Sequence, residues 1–289
     1  MIDNILLVLG TVQDGGYPHV GCNQSCCKHI LDNPNAKKMV ASIAIIDNLK
    51  KHVWIIDATP DINNQIRLLN QYISSLQYPD LSGILLTHAH MGHYAGLLNL
   101  GLESMNLKNI PVYVLDQMES FIENNSMLNQ LIINKNIIIN KISNNEILRL
   151  NDSICIKPFY VPHRNELSET AGFNIITEKK SVIYIPDIDS WSDWNIEISD
   201  LVKEHDLLLL DGTFYSKEEI KHRDLKKIPH PSIVETMSLL ESLSIKDKNK
   251  IFFTHLNHTN NALRMNSNEY NNIITSGYNI LNDKQIFEL

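Results

Sequence analysis

Six times along this chain an apolar run stops at an aspartate or a histidine. Val53-Trp54-Ile55-Ile56 meets Asp57, Gly83-Ile84-Leu85-Leu86-Thr87 meets His88, Phe159-Tyr160-Val161-Pro162 meets His163, Ile183-Tyr184-Ile185-Pro186 meets Asp187, Leu208-Leu209-Leu210 meets Asp211, and Ile251-Phe252-Phe253-Thr254 meets His255. Short β-branched and aliphatic runs of this kind read as buried strands. If the strands point the same way, their ends collect at one edge of the fold, where α/β proteins place function. The pattern calls for a layered fold with an ionisable rim.

The same reading places strands at 5–9, 42–46, 53–56, 83–86, 111–115, 154–161, 181–185, 206–210 and 251–253, and helical periodicity at 62–74, 94–102 and 233–243. Such a mixture is an α/β or α+β domain. No repeat period and no Pro/Ser/Gly-rich linker divides the 289 residues, so 1–289 is read as one domain with two pseudo-equivalent halves, roughly 1–145 and 146–289. Asn144-Asn145-Glu146 between them reads as a hairpin turn. A hydrophobic share of 43% with 20% charged residues excludes disorder and coiled coil as overall descriptions. With 25 Lys+Arg against 33 Asp+Glu, the net charge of −8 argues against a surface built for nucleic acid. The first apolar run has no basic residue before it and no small-residue cleavage site after it, so it reads as a strand and not a signal peptide. Every later run is far below the roughly 20 residues that span a bilayer, and a cytoplasmic protein without a membrane partner is expected.

The densest chemical signal is Thr87-His88-Ala89-His90-Met91-Gly92-His93. A strand that stops at His88 and turns into a helix near Gly92 aims three imidazoles into one pocket, and neutral imidazole is a common ligand of zinc and iron. A histidine-rich surface loop is the bland alternative, and the apolar strand just before it speaks against that. His163 and His255 taken singly would be hydrogen-bonded structural histidines; their shared position at strand ends favours ligation. Asp57 and Asp61 flank Thr59-Pro60 in a turn where Thr59 or Asp61 can cap the following helix and Pro60 suits its first turn. Asp57 is read as orienting a ligating histidine, and Asp211 as either a turn residue or a contact of the metal site. Cys22, Cys26 and Cys27, with His19 and His29 near by, form either a second, closed metal site or a set of reduced thiols, and Cys155 reads as core. No P-loop and no nucleophile elbow occurs.

The HxHxxH loop, the later lone histidine, the strand-terminal aspartate and the C-terminal histidine resemble the metallo-β-lactamase fold superfamily, over nearly the full chain. Gly10-Thr11-Val12-Gln13-Asp14-Gly15-Gly16-Tyr17-Pro18, Asp57-Ala58-Thr59-Pro60-Asp61 and His255-Leu256-Asn257-His258-Thr259-Asn260 look most like the pyrroloquinoline quinone biosynthesis protein B group within it. The resemblance implies a four-layer αββα sandwich. It implies that His88, His90 and His163 hold a first metal, that His93 and His255 hold a second, and that Asp187 bridges them. Gly92 departs from the pattern, for an aspartate normally binds the second metal there; losing an anionic ligand implies a weak or absent second ion. His230, between Pro229 and Pro231, is either a proline-fixed loop histidine or, as the resemblance implies from a comparable loop in hydrolases of the superfamily, a group that stabilises or protonates the leaving group. The resemblance further implies a structural zinc on Cys22, Cys26 and Cys27, although C-x3-C-C is not the subgroup's usual spacing. His258 and Asn260 would line the pocket, and Arg164 and Arg223 would bind an anionic group or else pair on the surface.

The expected function is therefore a metal-dependent hydrolase with one or two Zn²⁺ ions, acting through metal-activated water on a small ester, lactone or phosphodiester, with Asp187 and His230 as catalytic residues. The alternative is an Fe²⁺-dependent oxygenase or hydroxylase in cofactor or peptide-derived metabolite biosynthesis. A third reading, from another class, is a metal-binding scaffold without catalysis. The partners expected are a small-molecule substrate and, at most, a second copy of the chain in a homodimer.

Overall fold

The computed structural model describes residues 3–31, 33–73, 81–220 and 229–289. Among them, the first sheet is built from β1 (Asn4–Gly10), β2 (Ser42–Asp47), β3 (His52–Ile56), β4 (Leu81–Leu85), β5 (Ile110–Val114), β6 (Ile137–Lys141) and the last strand of the chain, β14 (Ile286–Glu288). The second holds β7 (Leu148–Arg149), β8 (Ile154–Val161), β9 (Thr170–Thr177), β10 (Ser181–Ile185), β11 (Leu207–Asp211), β12 (Ile251–Thr254) and β13 (Asn279–Ile280). Their orders are β14-β1-β2-β3-β4-β5-β6 and β13-β12-β11-β10-β9-β8-β7. In each sheet one half is antiparallel and the other, β3 to β6 or β10 to β13, is parallel.

Alternation along the strands explains why their sequences are apolar throughout. Leu7 and Leu9 of β1, and Val53 and Ile55 of β3, face α2 (Ile62–Tyr72), α4 (Asp116–Asn124) and α5 (Ser126–Ile133). Leu6, Val8, Trp54 and Ile56 point the other way, into a core shared with Phe173, Tyr184 and Leu209 of the second sheet. Ile183, Leu208 and Leu210 in turn meet α6 (Ile198–Glu204), α7 (Ile233–Leu239) and α9 (Asn268–Thr275). A strand buried on both faces needs an unbroken apolar run. The result is a helix, sheet, sheet, helix sandwich, the architecture that the resemblance implies.

The structure departs from the sequence reading at three places. Residues 94–102 are not one α-helix: α3 (Met91–Tyr94) is a single turn and Ala95–Leu100 is a 3₁₀ segment. The cause is competition for the backbone, since the Ala58 amide donates to the His93 carbonyl and the Gly96 amide donates to the Ala58 carbonyl, both at 2.8 Å. Asn144-Asn145-Glu146 is not a hairpin turn but the connection from β6 in one sheet to β7 in the other. β14 then crosses back to pair with β1, so the first sheet draws on both ends of the chain. Asp61 stands at the start of α2 without capping it, because its carboxylate accepts from the Val40 amide at 2.9 Å instead.

Candidate metal centre

β1, β3 and β4 share one direction in the first sheet, and β8, β10, β11 and β12 share one in the second. Their C-terminal ends carry the ionisable residues to a common rim. His88 Nε2, His90 Nδ1 and His163 Nε2 converge, with His90 Nδ1 2.8 Å from His88 and 3.3 Å from His163. Beside them lie His93 Nε2 and His255 Nε2, and Asp187 stands between the two sets. Its Oδ1 is 3.7 Å from His163 Nε2, while its Oδ2 is 3.1 Å from His93 Nε2 and 3.4 Å from His255 Nε2. Each predicted member of the metal set, His88, His90, His93, His163, Asp187 and His255, thus lies in one cluster, and His88, His93, His163, Asp187 and His255 are buried.

A second layer of side chains aims the imidazoles. Asp57 Oδ2 accepts from His93 Nδ1 at 2.7 Å, and its other oxygen accepts from the Thr87 amide at 2.8 Å. The Thr87 hydroxyl sits 3.0 Å from His88 Nδ1. Asp189, which the sequence reading missed, takes His163 Nδ1 at 2.7 Å, and the Thr213 hydroxyl lies 3.0 Å from His255 Nδ1. A carboxylate on Nδ1 fixes a proton there and turns Nε2 inward, the orientation that metal-bound histidines adopt. Asp57 and His255 both hold left-handed backbones, with φ of 70° and 58°. Such conformations are costly for residues with a Cβ and gather at functional sites.

The electrostatics suit a cation. Burial, then the charge of neighbouring His93, holds His88 well below the usual histidine range. Burial and the neighbouring His163 bring His90 down to about 4. Both imidazoles are therefore neutral at neutral pH. His93 is opposite: burial opposes its charge, but the Asp57 and Asp187 carboxylates outweigh that and hold its imidazolium well above the ordinary range. Burial also opposes ionisation of Asp187, which the adjacent His255 and His93 reverse. Four buried atoms, Asp14 Oδ1, His93 Nε2, Asp187 Oδ2 and His255 Nε2, face one another without a hydrogen bond. Orphaned polar atoms of this kind are expensive in a protein interior, and a divalent ion fits among them.

His230 leans over this cluster, its ring 5.4 Å from that of His163 and 6.1 Å from that of His255. Asp211, at the end of β11, accepts from His230 Nδ1 at 2.7 Å and from the Ile188 and Thr213 amides. Burial opposes a charge on His230, yet the Asp211 carboxylate prevails and raises it to about 9.

Cys22, Cys26 and Cys27 also come together, at the start of α1 (Ser25–Leu31), and they gather a partner from the far end of the chain. That partner is His258. Its Nδ1 lies 3.5 Å from Cys26 Sγ and 3.4 Å from Cys27 Sγ, with Cys22 Sγ 3.7 Å from Cys26 Sγ. Tetrahedral zinc with Zn–S of about 2.3 Å and Zn–N of about 2.0 Å requires S···S near ~3.8 Å and S···N near ~3.5 Å. The Cys22–Cys26, Cys26–His258 and Cys27–His258 separations match those values, and all four donor atoms lie within 4.8 Å of one another. Burial, with the neighbouring thiols, pushes Cys27 up to about 12. His19 packs its ring against His258, 4.3 Å between centroids. Cys155 is a half-buried residue of β8. Asn260 does not reach the centre: its side chain caps the 3₁₀ turn Asn261–Leu263 and donates to the Gly212 carbonyl. Arg164 pairs with Glu166 on the surface, and Arg223 lies outside the described residues. Among the described residues, no helix is long and apolar enough to cross a membrane.

Comparison with known proteins agrees with this architecture. Residues 52–256 match the family described as Beta-lactamase superfamily domain. Coenzyme PQQ synthesis protein B of Rhodopseudomonas palustris (strain TIE-1) is 24% identical over 95% of this chain and 96% of its own length. Among solved structures, the zinc-bound PqqB of Methylobacterium extorquens superposes with a TM-score of 0.80 at 21% identity, covering 99% of this chain and 100% of that one. A diphosphatase from the PhnP family superposes with a TM-score of 0.67 at 20% identity, covering 99% of this chain and 97% of that one. The chain belongs to the beta-lactamase superfamily, with a metallo-β-lactamase fold like that of PqqB.

Proposed function

We propose that the chain is a metal-dependent hydrolase of a small ester, lactone or phosphodiester, with His88, His90 and His163 holding one divalent ion and His93, His255 and Asp187 taking part in a second. The observation that carries this reading is Asp187, whose two oxygens reach toward the two histidine sets at 3.7 Å and 3.1 Å. A divalent ion bound there lowers the pKa of its water to about 7 and polarises the scissile carbonyl or phosphoryl oxygen. Asp57 and Asp189 hold the imidazoles in the donating tautomer. Asp187 orients the attacking water. His230 carries a proton at neutral pH because Asp211 holds its Nδ1, which leaves Nε2–H to protonate the leaving group. Cys22, Cys26, Cys27 and His258 hold a separate structural zinc that ties the loop after β1 to the C-terminal part of the chain.

The test is metal content of anaerobically purified protein, followed by hydrolysis of bis(4-nitrophenyl) phosphate, 4-nitrophenyl acetate and a simple lactone before chelation, after it and after zinc return. Zinc-restored turnover of any of the three supports the reading. The second reading, which the sequence resemblance allows, is an Fe²⁺-dependent oxygenase or hydroxylase. Iron in the protein with oxygen uptake and no hydrolysis would replace the first reading by the second.

A further inference from the structure

We infer that Asp14, from the loop after β1, takes the place of the carboxylate missing at Gly92 and is a ligand of the second ion, together with His93, His255 and Asp187. This rests on the reading of the histidine cluster as a metal centre, and it reverses the expectation that a glycine at position 92 leaves the second site weak.

Three observations support it. First, Asp14 Oδ1 lies 3.4 Å from His93 Nε2 and 3.5 Å from His255 Nε2, and the three side chains offer ligand atoms to a common point. Second, Asp14 Oδ1, His93 Nε2, His255 Nε2 and Asp187 Oδ2 are all buried without a hydrogen bond, and the two histidines and Asp187 are almost wholly withdrawn from solvent. Two carboxylates and two imidazoles turned toward one another, the imidazoles held from behind by Asp57 and Thr213, make a donor set for a divalent ion. Third, a Cβ built on Gly92 would lie 2.1 Å from Asp14 Oδ1, 2.6 Å from its Cγ and 2.9 Å from its Cα. Position 92 has no left-handed backbone that would by itself demand glycine. What forbids a side chain there is Asp14. The two positions therefore compete for one volume, and in this chain the volume is filled from β1 and not from α3.

The loop is built to hold Asp14 in place. The Gln13 amide donates to the Leu256 carbonyl at 3.1 Å, and the Leu256 amide donates to the Thr11 carbonyl at 3.0 Å. These bonds clamp residues 11–13 beside the segment that carries His255. The Gly16 amide then closes a turn on the Gln13 carbonyl at 2.8 Å, which brackets Asp14 inside it.

The experiment is Co²⁺ titration of the chelated protein. Thiolate-to-cobalt charge-transfer absorption reports the cysteine set, and visible ligand-field bands report the histidine centre. Asp14→Asn keeps shape and removes the charge; it should retain one histidine-centre ion and weaken the other on the order of tenfold or more. Gly92→Asp alone should collide with Asp14 and bind no better than the parent. The double variant Asp14→Gly with Gly92→Asp should regain the second ion. Two histidine-centre ions bound as tightly by Asp14→Asn as by the parent would overturn the assignment. A folded double variant that stays at one ion would overturn the equivalence of the two positions. A parent chain that takes up cobalt only at the thiolates would strike down the metal-centre reading, and with it this inference.

Discussion

At the scale of single residues, the centre depends on carboxylates that never need to touch substrate. Asp211 is the clearest case, since it raises His230 to about 9 against the opposing effect of burial. The linkage has a definite sign. A histidine whose folded-state pKa is raised contributes stability that is complete below its unfolded value of about 6.5 and is lost as pH climbs through the folded value. Asp211→Asn should therefore bring the His230 titration back below about 9, seen by NMR of the imidazole resonances in metal-free protein. The stability gap between parent and variant should be widest near pH 6 and narrow toward pH 9. A His230 titration that does not move would remove Asp211 as the cause. Asp189 stands in the same relation to His163 as Asp57 does to His93, each with a 2.7 Å contact to Nδ1.

At the scale of elements, two short segments position the clustered histidines and thiols, and both are sensitive to small changes. Gly96 is the second residue of the 3₁₀ segment and packs against the residues that follow β3, where an added Cβ would meet the Thr59 carbonyl oxygen at 2.2 Å. Gly96→Ala should cost about 1–3 kcal/mol, the range for overpacking. Urea unfolding measures it, and a loss under about half a kcal/mol would mean that the backbone gives way freely. The second segment is the loop joining Cys22 to α1. Replacing Cys22 and Cys26 by serine should remove one zinc per chain, lower the melting temperature and leave the histidine centre loaded, because metal binding there is coupled to folding of the loop. Elemental analysis beside a thermal melt decides it; unchanged zinc would reduce the three cysteines to ordinary thiols. Substituting His88 and His90 by alanine should do the reverse, emptying much of the histidine centre while the circular dichroism spectrum stays near that of the parent, since those ligands lie beyond the strand ends.

At the scale of the whole molecule, the core between the sheets joins Leu6, Val8, Trp54 and Ile56 to Phe173, Tyr184 and Leu209, and β14 stitches the end of the chain onto β1. The two halves should thus unfold together, with fluorescence and circular dichroism tracing one transition. Chelation should lower its midpoint, because an ion held at a thousand times its Kd stabilises by about 4 kcal/mol. A melt indifferent to chelator would argue that no ion contributes to the fold. Much of this architecture is legible in the sequence, for a physical reason: a strand buried on both faces must be an unbroken apolar run, and an abrupt ionisable residue at its end is a local signal. That logic alone places Asp57, His88, His163, Asp187, Asp211 and His255 at one rim. It fails for β9, whose run is interrupted by Gly172, and for β14, only three residues long. It fails also where a partner comes from elsewhere in the chain. Cys26 finds His258 across a separation of 232 residues, and Asp14 meets His93 and His255 because β1 ends at the same rim as β3, β4 and β12. Asp14 follows an apolar run as the other rim residues do, only several residues later, beyond a loop whose path depends on Leu256. Sequence by itself determined which residues could serve as ligands, because residue type and strand periodicity are local properties. Tertiary structure alone decided which of them come within ligand distance of one another, because that depends on two sheets stacking with their strand ends in register and on which of two neighbouring loops fills the space above Gly92.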